Sequence, residues 1–178
     1  AVRRSGARPG DALCVTGEWG RSAAALRLFK RDDDEAVERA NDLFRFTPRV
    51  ADGLALADRA TAMMDSSDGL ARSLHQLAEA SDVGFELDPD RVPVHPAVDA
   101  VADDSGERFE LAAHFGEDFE LVCTLPEEAV PSAREACPGG LTRVGRVVAD
   151  GAGVTADGDP LADRGYTHGS ESGPSRPQ

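Results

Sequence analysis

Short apolar runs, each closed by Gly, Asp or Pro, alternate with stretches of helical spacing along most of the chain, and this alternation limits the fold more than any other feature. "ALCVTG" (12–17) has β-branched members and ends at Gly, which suits a buried strand. "ATAMM" (60–64), "VGFELD" (83–88), "DFELVCTL" (118–125) and "TRVGRVV" (142–148) read the same way. Between them, "RSAAALRLFKR" (21–31) offers Ala24, Leu26, Leu28 and Phe29 to a core, and "DDDEAVERANDLF" (32–44) opens with acids, as a helix should. After Pro48 a third helix is expected to run to about Ala60 through Val50, Leu54 and Leu56. "GLARSLHQLAEASD" (69–82) lines up Leu70, Leu74, Leu77 and Ala78 on one face. One or two helices cover 97–114, another runs from about 127 to 136, and "ADGAGVTADG" (149–158) reads as a Gly-rich hairpin. The prediction is an α/β domain whose sheet is covered by helices.

Composition narrows the partners. Aromatics are only 5 % of the 178 residues, so the core must be built from Val, Leu and Ala. The net charge is −14, and Lys30 is the only lysine. Such a surface repels phosphate backbones, which argues against nucleic-acid binding. Asp/Glu bias with Arg in place of Lys is expected of a protein adapted to high salt, where screening suppresses self-repulsion. No apolar stretch reaches the length of a membrane span or a signal h-region, so no membrane partner is expected and the expected location is the cytoplasm. Cys14, Cys123 and Cys137 have no metal-type spacing, and buried reduced thiols are expected at Cys14 and Cys123.

The chemistry concentrates in two acidic stretches. In "MMDSSDGL" (63–70), Asp65 should end a strand and Asp68 should start a helix. Ser67 or Asp68 can cap that helix by accepting first-turn N–H bonds. The same geometry can present two carboxylates to Mg²⁺ and a helix N-terminus to a phosphate. In "GEDFEL" (116–121), Glu117 and Asp118 stand before the strongest strand, either as a charged turn or as a second set of oxygens. Arg3 and Arg4 in the N-terminal loop could meet a phosphate. No Walker-type Gly-Lys-Ser/Thr is present.

Three stretches, "RRSGARPGDALCVTGEWGRSAAAL", "MMDSSDGLARSLHQLAEASDVGFELD" and "HFGEDFELVCTLPE", together resemble the thiamine-monophosphate kinase family of the aminoimidazole-ribonucleotide-synthetase-like superfamily. "GYTH" (165–168) matches a family Gly-Tyr-x-His. The resemblance covers nearly all of residues 3 to 168, and implies the family's C-terminal α/β domain without its N-terminal ATP-binding half. It divides the chain into the end of an interdomain linker (1–9), the C-terminal synthetase-like domain (10–168) and a tail expected to be disordered (169–178).

By the same resemblance the activity is ATP- and Mg²⁺-dependent phosphorylation of thiamine monophosphate. Arg4 and Ser67 match ATP contacts, Asp65 and Asp68 match magnesium ligands, and Glu117 and Tyr166 match contacts to thiamine monophosphate. A homodimer would form through the N-terminal half. Ser66, His114, Phe115, Thr167 and Gly169 depart from the family pattern. The alternatives are another ATP-dependent enzyme on this fold and a non-catalytic ligand-binding domain.

Overall fold

A computed structural model describes residues 1–31 and 33–165. A single seven-stranded sheet carries the fold. Its strands are β1 (Ala12–Thr16), β2 (Ala62–Asp65), β3 (Val83–Leu87), β4 (Leu121–Leu125), β5 (Leu141–Ala149), β6 (Val154–Ala156) and β7 (Asp159–Pro160), in the order β2-β4-β1-β5-β3-β6-β7. All neighbours pair antiparallel except β3 and β6. Among the described residues six α-helices accompany it: α1 (Arg21–Phe29), α2 (Asp34–Leu43), α3 (Val50–Leu56), α4 (Leu70–Ser81), α5 (Ser105–His114) and α6 (Val130–Ala136).

The strand period of two explains why both faces are dry. Along β1, Leu13 and Val15 join the α4 side with Leu70, Leu74, Leu77, Phe85 and Val122. Ala12 and Cys14 join the opposite side with Leu56, Cys123, Leu125, Val130 and Ala133. β1 lies between β4 and β5 and is buried along its whole length. A third cluster packs α1 against α2, Val98 and Leu111. Each fully buried Leu contributes about 2 kcal/mol in such clusters, so these small-residue cores suffice without many aromatics. The three cysteines are free and buried, and burial pushes the Cys14 thiol up to about 12.

The sheet-covered α/β class agrees with the sequence pattern, while several boundaries move. The strand expected over 118–125 begins at Leu121, because Glu117 and Phe119 take positive φ and the backbone cannot extend through them. The third helix ends at Leu56 rather than near Ala60. The stretch 149–158 is not one hairpin: β6 pairs in parallel with β3, then turns at Asp157–Gly158, both at positive φ, into β7. The N-terminal segment runs beside the outer strand of the sheet, where the Arg3 carbonyl accepts the Met63 N–H at 2.9 Å. Among the described residues, no helix is long and apolar enough to cross a membrane.

Candidate functional site

The two acidic stretches meet because β2 and β4 are neighbours. Their ladder ends at Asp65 paired with Leu121, and the backbone lacing continues past it into both loops. Ser66 N–H donates to the Glu120 carbonyl at 2.8 Å, Phe119 N–H to the Ser66 carbonyl at 3.2 Å, and Glu117 N–H to the Ser67 carbonyl at 2.8 Å. Gly116 permits this approach, since a Cβ there would lie 2.2 Å from the Ser67 carbonyl oxygen. Ser66, a departure from the family pattern, is buried with its Oγ 3.0 Å from the Ser73 hydroxyl of α4, so its polarity is satisfied inside.

Under this surface lie two buried carboxylates with structural work. Asp118 accepts from Gly20 N–H at 2.7 Å and Ser22 N–H at 2.9 Å, capping α1 from 98 and 96 residues away. The Ser22 hydroxyl donates to the Glu117 carbonyl at 2.7 Å. Burial pushes the Asp118 carboxyl up to about 6 against the opposing pull of those N–H groups. Glu120 accepts from Arg49 Nε at 2.7 Å and Nη2 at 2.8 Å, and from Thr16 Oγ1 at 2.7 Å. Neither carboxylate is available to a ligand without dismantling the loop.

Above it the situation is reversed. Asp65, Ser67 and Asp68 are exposed. The N-cap of α4 is Gly69 at φ 105°, which has no side chain to cap the helix. The N-cap position expected of Ser67 or Asp68 is taken by Gly69, and both of those residues are exposed before it. Two exposed carboxylates and the Ser67 hydroxyl thus stand beside the start of α4, whose first residues Leu70 and Ala71 are buried, and such oxygens suit a hard cation shared with phosphate. Among the described residues, no three His, Cys, Asp or Glu side chains form a metal-holding group. Two carboxylates fit Mg²⁺ only if the remaining ligands are phosphate oxygens and water.

The other expected residues are distributed unequally. Glu117, half-buried, sits in the laced loop with Asp65, Ser67 and Asp68. Arg4 is exposed, and its carbonyl accepts from the Ser81 hydroxyl at the far end of α4. Arg3 beside it bonds Met63, two residues before Asp65, so the Arg4 backbone lies along the outer edge of β2, between the Asp65–Asp68 loop and the Ser81 end of α4. Tyr166 and the tail 169–178 lie outside the described residues. The segment before Tyr166 does reach the site: His114 Nδ1 is 3.2 Å from the Arg164 carbonyl, Arg72 pairs with Asp163, and a Cβ on Gly165 would lie 2.6 Å from the Asp68 carbonyl oxygen. Sequence reasoning missed Arg49, Thr16 and the Phe46–Phe119 stack, whose ring centroids are 4.8 Å apart. The one signal that could have found Arg49 was a lone arginine after Pro48 in an apolar stretch.

Comparison with known proteins agrees with this geometry. Residues 8–157 match the family described as AIR synthase related protein, C-terminal domain. A protein of Halobacterium salinarum named thiamine-monophosphate kinase is 59 % identical over 167 residues, covering 94 % of this chain and 56 % of its own length. The crystal structure of thiamine-monophosphate kinase from Stenotrophomonas maltophilia superposes with TM-score 0.78 and 34 % identity over 91 % of this chain and 54 % of that one. A structure of AaThiL complexed with AMPPCP and TMP gives TM-score 0.80 and 31 % identity, over 94 % of this chain and 54 % of that one. The chain thus spans about half the length of the relatives it matches. With more than four-fifths of its residues inside that match, the chain belongs to the AIR synthase related protein family through the family's C-terminal domain.

Proposed function

We propose that this chain is the C-terminal portion of a thiamine-monophosphate kinase, transferring the terminal phosphoryl group of ATP to the phosphate of thiamine monophosphate. The products are ADP and thiamine diphosphate. The observation that carries this reading is the start of α4, with exposed Asp65, Ser67 and Asp68 before it and the Glu117 loop laced alongside. The relatives named above, and a solved neighbour complexed with AMPPCP and TMP, support the same substrates.

In this reading Asp65 and Asp68 hold Mg²⁺, which when bound neutralises charge on the transferring phosphoryl group. Ser67 and the first N–H groups of α4 orient phosphate oxygens of ATP, and Arg4 serves the nucleotide from the N-terminal side. Glu117, with Tyr166, faces thiamine monophosphate. Phosphoryl transfer needs positioning and charge neutralisation more than a strong base, which suits a loop fixed by backbone bonds. The remaining carboxylates and the dimer contact would come from the half of the relatives that this chain does not span.

The test joins this chain to the N-terminal half of the Halobacterium salinarum relative and follows ADP release in high salt. ADP formation that depends on both thiamine monophosphate and Mg²⁺ is expected. ADP formation indifferent to thiamine monophosphate would overturn the substrate assignment.

A further inference from the structure

Two non-glycine residues of the loop before β4 sit in the left-handed region, Glu117 at φ 67° and Phe119 at φ 53°. Residues with a Cβ avoid this region, and persist there only where surrounding contacts over-determine the backbone. The residues that alternate with them are sunk into the protein: Asp118 is 2 % exposed and Glu120 3 %. The loop is therefore a short display, with Glu117 and Phe119 carried by two buried carboxylates.

Glu120 is the more tightly held of the two anchors. Arg49 grips both of its oxygens, and Thr16 Oγ1 donates to one of them while accepting the Leu121 N–H at 2.8 Å. Gly17 follows β1 for this reason, since a Cβ there would stand 2.3 Å from Glu120 Oε1 and 2.5 Å from Arg49 Nη2. Arg49 is itself boxed in. A Cβ on Gly139 would lie 2.4 Å from Arg49 Nη1, and Asp52 of α3 closes the same corner by accepting the Gly139 N–H at 2.7 Å. Three residues before Arg49, Phe46 stacks on Phe119, with the Arg21 guanidinium 5.9 Å from the Phe46 ring centre. One segment thus supports the loop from inside through Arg49 and from outside through Phe46.

We infer that Arg49 is a positioning residue: its two-pronged bond to Glu120 fixes the left-handed conformations at Phe119 and Glu117, and so the placement of Glu117 toward the substrate. The last clause rests on the kinase reading; the conformational part does not. A planar fork is required, because a lysine ammonium keeps the charge but cannot grip both oxygens at once.

The experiment joins the chain to the N-terminal half of the Halobacterium salinarum relative and compares that wild type with Arg49→Lys, Arg49→Met and Glu120→Gln. Residue-resolved amide hydrogen exchange is read at Glu117, Phe119 and Leu121, with Leu74 and Val147 as references, and calorimetry measures affinity for thiamine monophosphate and for AMPPCP. Exchange at the three loop amides should quicken by roughly a hundredfold in both Arg49 variants, with the references unmoved. Affinity for thiamine monophosphate should fall about tenfold while that for AMPPCP holds, in Arg49→Lys as in Arg49→Met. Loop protection retained in Arg49→Lys, or lost equally at the reference amides, would overturn the positioning role. A joined wild type that takes up neither ligand would count against the kinase reading instead, and the exchange rates would then decide the role of Arg49 alone.

Discussion

Gly116→Ala puts the contact between the two loops to a direct test. The glycine is needed for room, because its Cβ would meet backbone on the other loop: the Ser67 carbonyl oxygen at 2.2 Å and Asp68 Cα at 3.1 Å. Carbon–oxygen contacts settle near 3.3 Å, so the loops must part by about 1 Å. That separation stretches the 2.8 Å bond from Glu117 N–H to the Ser67 carbonyl beyond hydrogen-bonding range. Forced overpacking costs about 1–3 kcal/mol and the lost bond about 1 kcal/mol more. A domain of this size loses roughly 2–4 °C of Tm per kcal/mol, so calorimetry should find Gly116→Ala melting about 4–16 °C below wild type. Gly151→Ala is the control, since a Cβ at Gly151 meets nothing within 4 Å, and its Tm should stay within about 1 °C. Co-melting of Gly116→Ala with wild type would refute the requirement for close contact. An equal loss in Gly151→Ala would show that the effect has nothing to do with Ser67.

Asp65→Asn, at an exposed position, should lower turnover of the assembled kinase by about a hundredfold while shifting Tm by no more than about 1 °C; unchanged turnover at saturating Mg²⁺ would remove Asp65 from the metal. Glu117→Gln should raise the KM for thiamine monophosphate more than that for ATP, and equal changes in steady-state kinetics would leave it only a loop residue. Asp118 sets a pH dependence: burial raises its native pKa to about 6, so between about pH 4 and 6 the folded chain keeps a proton that the unfolded chain releases. The stability tied to that proton is complete below about pH 4 and lost as pH rises through 6, about 3 kcal/mol in all. The stability difference between wild type and Asp118→Asn should therefore shrink from pH 4 to 7 in denaturant titrations, and a constant difference would refute the shift. The charge of −14 predicts a Tm that climbs as KCl is raised from dilute to molar levels; a flat profile would dismiss self-repulsion as a stability term.

The sequence announces structure where the cause is local. The turn from β2 into α4 was legible because four strand residues run straight into the helical period of Leu70, Leu74 and Leu77, which bury on one face. It also announced that Asp65 and Asp68 would share the junction, since three residues cannot carry them far apart. The start of that helix was less legible: Ser and Asp are the common capping residues, yet Gly69 holds the N-cap position. "GEDFE" hides far more. Three acids within four positions look alike in sequence, but Asp118 caps α1 and Glu120 is gripped by Arg49 and Thr16. Those donors lie 71 to 104 residues away along the chain, where no periodicity reaches. A carboxylate's role follows from the donors the fold brings to it, and sheet order supplies them here: β4 lies between β2 and β1, so one side of its leading loop meets Ser66 and Ser67 and the other meets Thr16. The same topology sets Arg4 on the outer edge of the sheet, because the segment before β1 runs along β2 from Met63 toward the Ser81 end of α4. For its guanidinium to serve the nucleotide beside Asp65, the ligand would have to extend along the outer edge of β2. A test of that geometry is Arg4→Ala, which should weaken AMPPCP binding without changing the affinity for thiamine monophosphate.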